Sequence, residues 1–423
     1  MRPSALLRAE PPKNRPGKPI LTVQDAFARP RETSAAAASA PLIILALACG
    51  GFAIGVGEFA VMGLLPEIAT AFGASVPNAG YAISAYAVGV VVGAPLIAIA
   101  AAKVSRRSLL LMLMSVFVLG NLASAAAPSL GALIALRFLS GLPHGAYFGV
   151  AALVAASLVP LNRRTQTVGY VMLGLTLATL VGTPVLAFFG EMLSWRLMFF
   201  VDGLIGALTF ALISIYLPKD KPHAEASVAR ELIAFTRPQV LLTLLLAASG
   251  FGGMFSIFSY IAATATDYAH MPVFMVPVIL ILFGLGMNAG NLIGSKLADR
   301  SLMGTIGGML VFNVVVMTVF GLTAHWQAAL CVMTFLLGNG FAAAPAVQSR
   351  LMDVAREGQT LAAASMHSAF NIANALGAWL GGRAIADGYG YPATGYVGAA
   401  LSLFGLAVFA LLLRMDKAAK AAA

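Results

Sequence analysis

LIILALACGGFAIGVGEFAVMGL, residues 42–64, runs from end to end with one charge, Glu58, and no proline. As a helix it would extend about 35 Å, enough to cross a hydrocarbon core of about 30 Å. The same pattern recurs along the chain. Cutting wherever charges, proline or glycine clusters separate such runs predicts twelve spans: 42–64, 79–101, 108–127, 130–156, 165–189, 196–217, 239–264, 274–294, 302–323, 327–349, 360–385 and 393–413. The expected fold class is an all-α membrane protein of twelve transmembrane helices. Composition agrees: of 423 residues 60% are hydrophobic and 10% charged, against roughly 25% charged in soluble domains. The 43 glycines lie mostly inside the apolar runs, where small residues let membrane helices approach closely.

A net charge of +10 would suggest a nucleic-acid partner in a soluble protein. Here 23 of the 26 Lys and Arg fall in the N-terminal tail, in alternate loops and after the last span. Basic loops stay cytoplasmic, so both termini are expected inside, in an inner or plasma membrane. The scatter of these charges over seven segments excludes a nucleic-acid face. Of the other three, Arg137 lies within the fourth span, and Arg196 and Arg383 lie near outer helix ends. Cys49 and Cys331 stand far apart without metal-ligand spacing and read as packing residues.

The longest internal loop, 218–238, divides the spans six and six. The expected domains are a disordered cytoplasmic tail (1–41), an N-terminal bundle (42–217), this cytoplasmic loop, a C-terminal bundle (239–413) and a short cytoplasmic tail (414–423). Within the loop, SVARELIAFTR suits a short amphipathic helix on the inner surface. The halves echo each other: AIAAAKVSRR (98–107) and SKLADR (295–300) follow the second and eighth spans at an offset of 197, which also sets Gly141 on Gly338. Two pseudo-symmetric six-helix bundles are what a rocking transporter is built from.

Charged residues inside spans are the candidate site. Arg137, Gly141, Gly145 and Gly149 recur every four residues and so share one helical face. Close packing alone accounts for the glycines but not for an intramembrane arginine, which costs ~2.5 kcal/mol or more and needs a partner. Counted from the outer helix ends, Arg137, Glu58 and Asp202 lie at a common depth of ~10 Å, where opposite charges can neutralise one another. Glu58 either binds protons or snorkels to the outer interface. His144 and His367 sit deep in spans four and eleven, suited to proton or substrate binding or to hydrogen-bonded packing. Asn288, Asn291, Asn371 and Asn374 form i, i+3 pairs that either face a cavity or join helices.

Four stretches together resemble the major facilitator superfamily, in particular its twelve-helix drug:proton antiporters of the arabinose-, sugar- and chloramphenicol-efflux branch. GVGEFAVMGLLPEIA (55–69) resembles the family's first helix, RFLSGLPHGAYFG (137–149) its fourth, LTLATLVGTPVLAFFGEMLSWR (175–196) its fifth and MHSAFNIANALGAWLGG (366–382) its eleventh. The resemblance implies that the first and fourth helices line the substrate cavity and the sixth lies outside it. Glu58 is then the cavity carboxylate, and Asp202 a structural counter-ion. It also implies that Asp299 and Arg300 of SKLADR, and Lys103, Arg106 and Arg107 in the N-half, form loop clamps on the inner helix ends, although Ala102 stands where the family has Asp. In the fifth helix Gly182-Thr183-Pro184 replaces the family's adjacent Gly-Pro pair, and Pro184 still bends the helix.

No phosphate-binding glycine loop, nucleophile set or metal cluster stands out, so the chain is not expected to be an enzyme or to need a cofactor. The expected function is monomeric, alternating-access export of a drug-like or sugar-like small molecule, driven by the proton gradient. An uptake symporter or facilitator of the same fold is the alternative within transport. A membrane sensor or scaffold is the alternative outside it.

Overall fold

The computed structural model describes residues 34–74, 76–101, 103–220, 228–356 and 358–421. Ala102, residues 1–33 of the expected tail and residues 221–227 of the central loop lie outside the described residues. Residues 34–39 are helical, and Ala40–Ala423 forms a compact unit of its own. That unit is built from twelve long helical segments. They are α1 Ala40–Gly63, α2 Asn78–Ala100, α3 Arg106–Ala125, α4 Leu130–Ser157, α5 Leu161–Gly190 and α6 Trp195–Tyr216. After the central loop come α7 Pro238–Phe258, α8 Val276–Arg300, α9 Leu302–Thr323, α10 Gln327–Ala355, α11 Gln359–Ala384 and α12 Ala393–Ala418.

Serine begins three of these helices. The hydroxyls of Ser105, Ser129 and Ser194 accept hydrogen bonds from Ser108, Ala132 and Arg196 N–H groups, satisfying donors that a helix start leaves unpaired. Several ends differ from the sequence reading, among them the tenth span, which runs to Ala355 rather than 349, and the twelfth, which runs to Ala418 rather than 413. SKLADR is not a loop: Lys, Leu, Ala and Arg are good helix formers, and α8 runs through them to Arg300 before Ser301 turns out of the helix. Span seven ends at Phe258 rather than 264, because the chain turns at Ser259 and Tyr260, and the Tyr260 hydroxyl donates to the Ala378 carbonyl of α11 at 2.7 Å.

Eleven segments are apolar along their length; α11 is not. It carries Ser365, His367, Ser368 and Asn371, all buried. Such groups are tolerated in a membrane helix only when it faces protein. Accordingly α11 packs against α2 and α4 of the first bundle as well as α7, α10 and α12 of its own, while α8 and α10 pack against α5.

The two bundles share a backbone contact at the 197-residue offset. In the first, a Cβ on Gly89, Gly93 or Gly141 would strike the carbonyl oxygens of Phe138, Leu142 and Tyr86 respectively. In the second, Gly286, Gly290 and Gly338 stand in the same relation to Phe335, Asn339 and Phe283. All six positions obey one offset, so α2 on α4 and α8 on α10 are one interface used twice.

Candidate functional site

Arg137 of α4 is fully buried, as is Asp202 of α6, and Glu58 of α1 is 6% exposed. The helices converge there because Gly57 leaves room for Asp202: a Cβ at that glycine would lie 2.7 Å from Asp202 Oδ2. Both carboxylates interact electrostatically with the Arg137 guanidinium, yet no salt bridge within 4.0 Å joins the three among the described residues. Instead the guanidinium lies 4.2 Å from the centre of the Tyr86 ring and 5.7 Å from that of Phe199, an attraction worth ~2 kcal/mol when desolvated. The three guanidinium nitrogens and both Asp202 oxygens have no hydrogen-bond partner. The site thus holds a positive group and two carboxylates close together, with the hydrogen-bonding capacity of Arg137 and Asp202 unspent.

Tyr86 continues this site toward the boundary between bundles. Its hydroxyl lies 3.1 Å from His144 Nδ1, and His144 Nε2 lies 3.2 Å from His367 Nδ1. One imidazole belongs to α4 and the other to α11, so the pair bridges the halves. Phe148 stacks on His367 at 4.3 Å and an interplanar angle of 15°, and His367 Nε2 is buried without a partner. Beside it Met172, Leu175, Phe341, Ala344, Met366 and Phe370 leave a void of ≈ 10 Å³, about the size of one water.

The glycine stripe serves two neighbours. Gly141 faces α2, Gly145 meets both Ala94 of α2 and Ala364 of α11, and Gly149 faces Ala363 and Ala364 of α11. Asn288 donates to the carbonyl of Thr176 at 3.0 Å and accepts from the Thr176 hydroxyl at 2.9 Å. Asn291 donates to Gly169 O at 2.7 Å. Both join α8 to α5. Asn371 bonds within its own helix, to His367 O at 3.1 Å, and Asn374 is half-buried. In α5 a π-helical turn, Ala178–Gly182, precedes Pro184, and Gly182 leaves room for Val56 and Phe52 of α1.

The end of the molecule that carries the basic loops is closed. Asp299 accepts from the N–H groups of Thr165 (2.7 Å) and Gln166 (2.9 Å), and Arg164 pairs with Asp353 at 2.7 Å. Both contacts cross between bundles. Arg300 ends α8 at this face, and Lys103 lies in the loop before α3. The N–H groups of Arg106 and Arg107 donate to Asp220 at 2.8 and 3.2 Å, and the Arg107 guanidinium reaches Ser214 O at 2.8 Å.

Sequence reasoning did not single out Tyr86 or Glu231. Tyr86 had a signal: it stands three and seven residues before Gly89 and Gly93, on the face that packs against α4. Glu231 had only its position as the acid of the amphipathic SVARELIAFTR stretch.

Two six-helix bundles, the first of which holds a buried charge cluster, are the architecture of a membrane transporter. The Major Facilitator Superfamily model matches residues 47–368, and the chain belongs to that family. It is 41% identical over 364 residues to the inner membrane transport protein YdhP of Escherichia coli K12, covering 85% of this chain and 94% of that one. Identity to the chloramphenicol resistance protein of Streptomyces lividans is 30% over 345 residues, covering 80% and 87%. The crystal structure of the E. coli fucose:proton symporter FucP has the same fold, with a TM-score of 0.71, 15% identity, and coverage of 88% of this chain and 99% of that one.

Proposed function

We propose that this transporter exports a drug-like or sugar-like small molecule in exchange for protons, with Glu58 as the group that carries the proton. The observation that supports this reading is the burial of Glu58 beside Arg137, with Asp202 behind it and no hydrogen bond spent among them. A carboxylate held that way can exchange its proton without first breaking a strong local bond. Arg137 stands as the counter-charge of ionised Glu58, and Asp202 offsets the arginine when Glu58 is neutral. The likeness to a chloramphenicol resistance protein favours export of drug-like molecules over uptake. Asp299, with Arg300, and the Lys103, Arg106 and Arg107 segment hold the basic end in the closed state. Both termini face the cytoplasm across the inner membrane, and the working unit is a monomer.

The test is transport in proteoliposomes under an imposed pH gradient, with chloramphenicol and neutral sugars as probes. One proton exchanged per molecule supports about a tenfold concentration ratio per pH unit, since each unit is ~1.36 kcal/mol. Glu58→Gln keeps the shape and removes the charge. Uphill efflux should vanish in it while downhill exchange of a neutral probe persists. Uphill efflux by Glu58→Gln would place coupling elsewhere.

A further inference from the structure

In the C-half, Asp299 sits in the last turn of α8 and bonds the N–H groups of Thr165 and Gln166. These are the second and third residues of the helical run that begins at Arg164. A carboxylate there satisfies donors a helix start leaves unpaired and meets the positive end of its dipole. The contact ties α8 of one bundle to α5 of the other.

The 197-residue offset carries Asp299 onto position 102 and turns α5 into α11. A symmetric molecule would have a carboxylate at 102 near the start of α11, where Thr360 and Leu361 match Thr165 and Gln166 by place in the helix, two residues short of the 197 offset. The chain has Ala102. Even so, the Leu361 donor is not orphaned. Glu231 Oε2 accepts from Leu361 N–H at 2.9 Å, and Thr360 lies beside the same carboxylate. Glu231 is 8% exposed. Its short helix, Val228–Ile233, packs against α2 and α11 together. Just beyond it, Phe235 packs on the cluster formed by Ala94, Ala98, Leu361 and Ala364, which seals α2 to α11.

We infer that Glu231 is a positioning residue, supplied by the linker between the bundles, that replaces the carboxylate absent from position 102 and holds α11 against α2 when the basic end is closed. The linker is therefore part of the gate. This inference rests on the rocking of the halves and not on Glu58, so proton coupling can fail with the latch intact, and the reverse.

The experiment uses the full chain in nanodiscs, with Cys49 and Cys331 replaced by serine and nitroxides at Leu161 and Lys417. Both positions are exposed at the basic end, one on each bundle. Pulsed-EPR distances report the closed and open populations. Glu231→Ala leaves the buried Leu361 donor of α11 without a partner and should lower the closed-to-open ratio by about 5- to 150-fold. Glu231→Gln still offers an amide oxygen and should stay near the parent. Adding Ala102→Asp to Glu231→Ala should restore the closed population, since it returns a carboxylate to the symmetric station. If Glu231→Ala does not yield folded protein, Glu231→Ser, whose hydroxyl is too short to reach Leu361, takes its place. An unchanged distance distribution, or a failure of Ala102→Asp to restore it, overturns the inference.

Discussion

Gly149→Ala separates a seam that parts from a contact that merely packs. The added Cβ would lie 2.5 Å from the Ala364 nitrogen and 2.8 Å from its Cα, where carbon contacts settle near ~3.5 Å. Both obstructing atoms are backbone, so no rotamer change relieves the overlap, and α11 must withdraw from α4 by about 1 Å. Overpacking of this kind costs ~1–3 kcal/mol. Because α4 and α11 belong to different bundles, the cost falls on the closed state, and the closed-to-open ratio should drop about 5- to 150-fold. Gly141→Ala is the control. Its Cβ would strike the Tyr86 carbonyl inside the first bundle, a contact kept in every state, so it should lower the melting temperature and leave the populations alone. The nitroxide pair at Leu161 and Lys417 reads the first effect and thermal unfolding the second. If Gly149→Ala lowers the melting temperature while leaving the distances unchanged, the seam between α4 and α11 is not where the halves separate.

The histidine bridge makes a finer distinction by the same distance measurement. His367→Phe keeps a ring for Phe148 to stack on but removes the bond to His144, and should weaken closure by about 2- to 12-fold. His367→Asn retains an acceptor and should close more fully than the phenylalanine variant; equal populations in the two would mean that the bond does not hold the halves. A pH titration tests Glu231. Burial raises its pKa above the usual carboxylate value, against the opposing influence of the Leu361 hydrogen bond, Thr360 and the Arg106 charge. The closed form therefore binds its proton more tightly than an open form with the carboxyl in water. The closed fraction should rise as pH falls through the range above the ordinary glutamate pKa, and this component should be present in the parent and missing from Glu231→Gln. Identical pH dependence in both would exclude the effect.

Much of the fold was legible because each membrane helix is a local pattern: an apolar run of sufficient length, bounded by charges, proline or glycine. The burial of Arg137 and Glu58 was legible for the same reason, since a charge in an apolar run of that length has few places to go. What joins the charges was not. Arg137 lies over the Tyr86 ring and within 4.0 Å of neither carboxylate, and an aromatic in an apolar run carries no mark of what lies over it. His144 and His367 read as two separate candidates, because a contact across 223 residues depends on how α4 and α11 cross. The gap at Ala102 was visible in the sequence. Its replacement by Glu231 was not, since the donor it satisfies is defined only once α11 has been placed.

The shared glycine contact also dates the parts of the molecule relative to one another. Carrying Tyr86, Arg137 and His144 forward by 197 residues gives Phe283, Thr334 and Phe341, so the counterpart of the polar chain holds no charge and a single hydroxyl. If the halves descend from one ancestral repeat, the six backbone positions of the shared interface are inheritance, and the charges are a later divergence of one copy from the other. The second bundle then amounts to an internal reference: the same scaffold, in the same membrane, with the polar chain absent. Writing the phenylalanines and threonine of that copy into the first half, one position at a time, would retrace the divergence on a scaffold already known to tolerate those side chains.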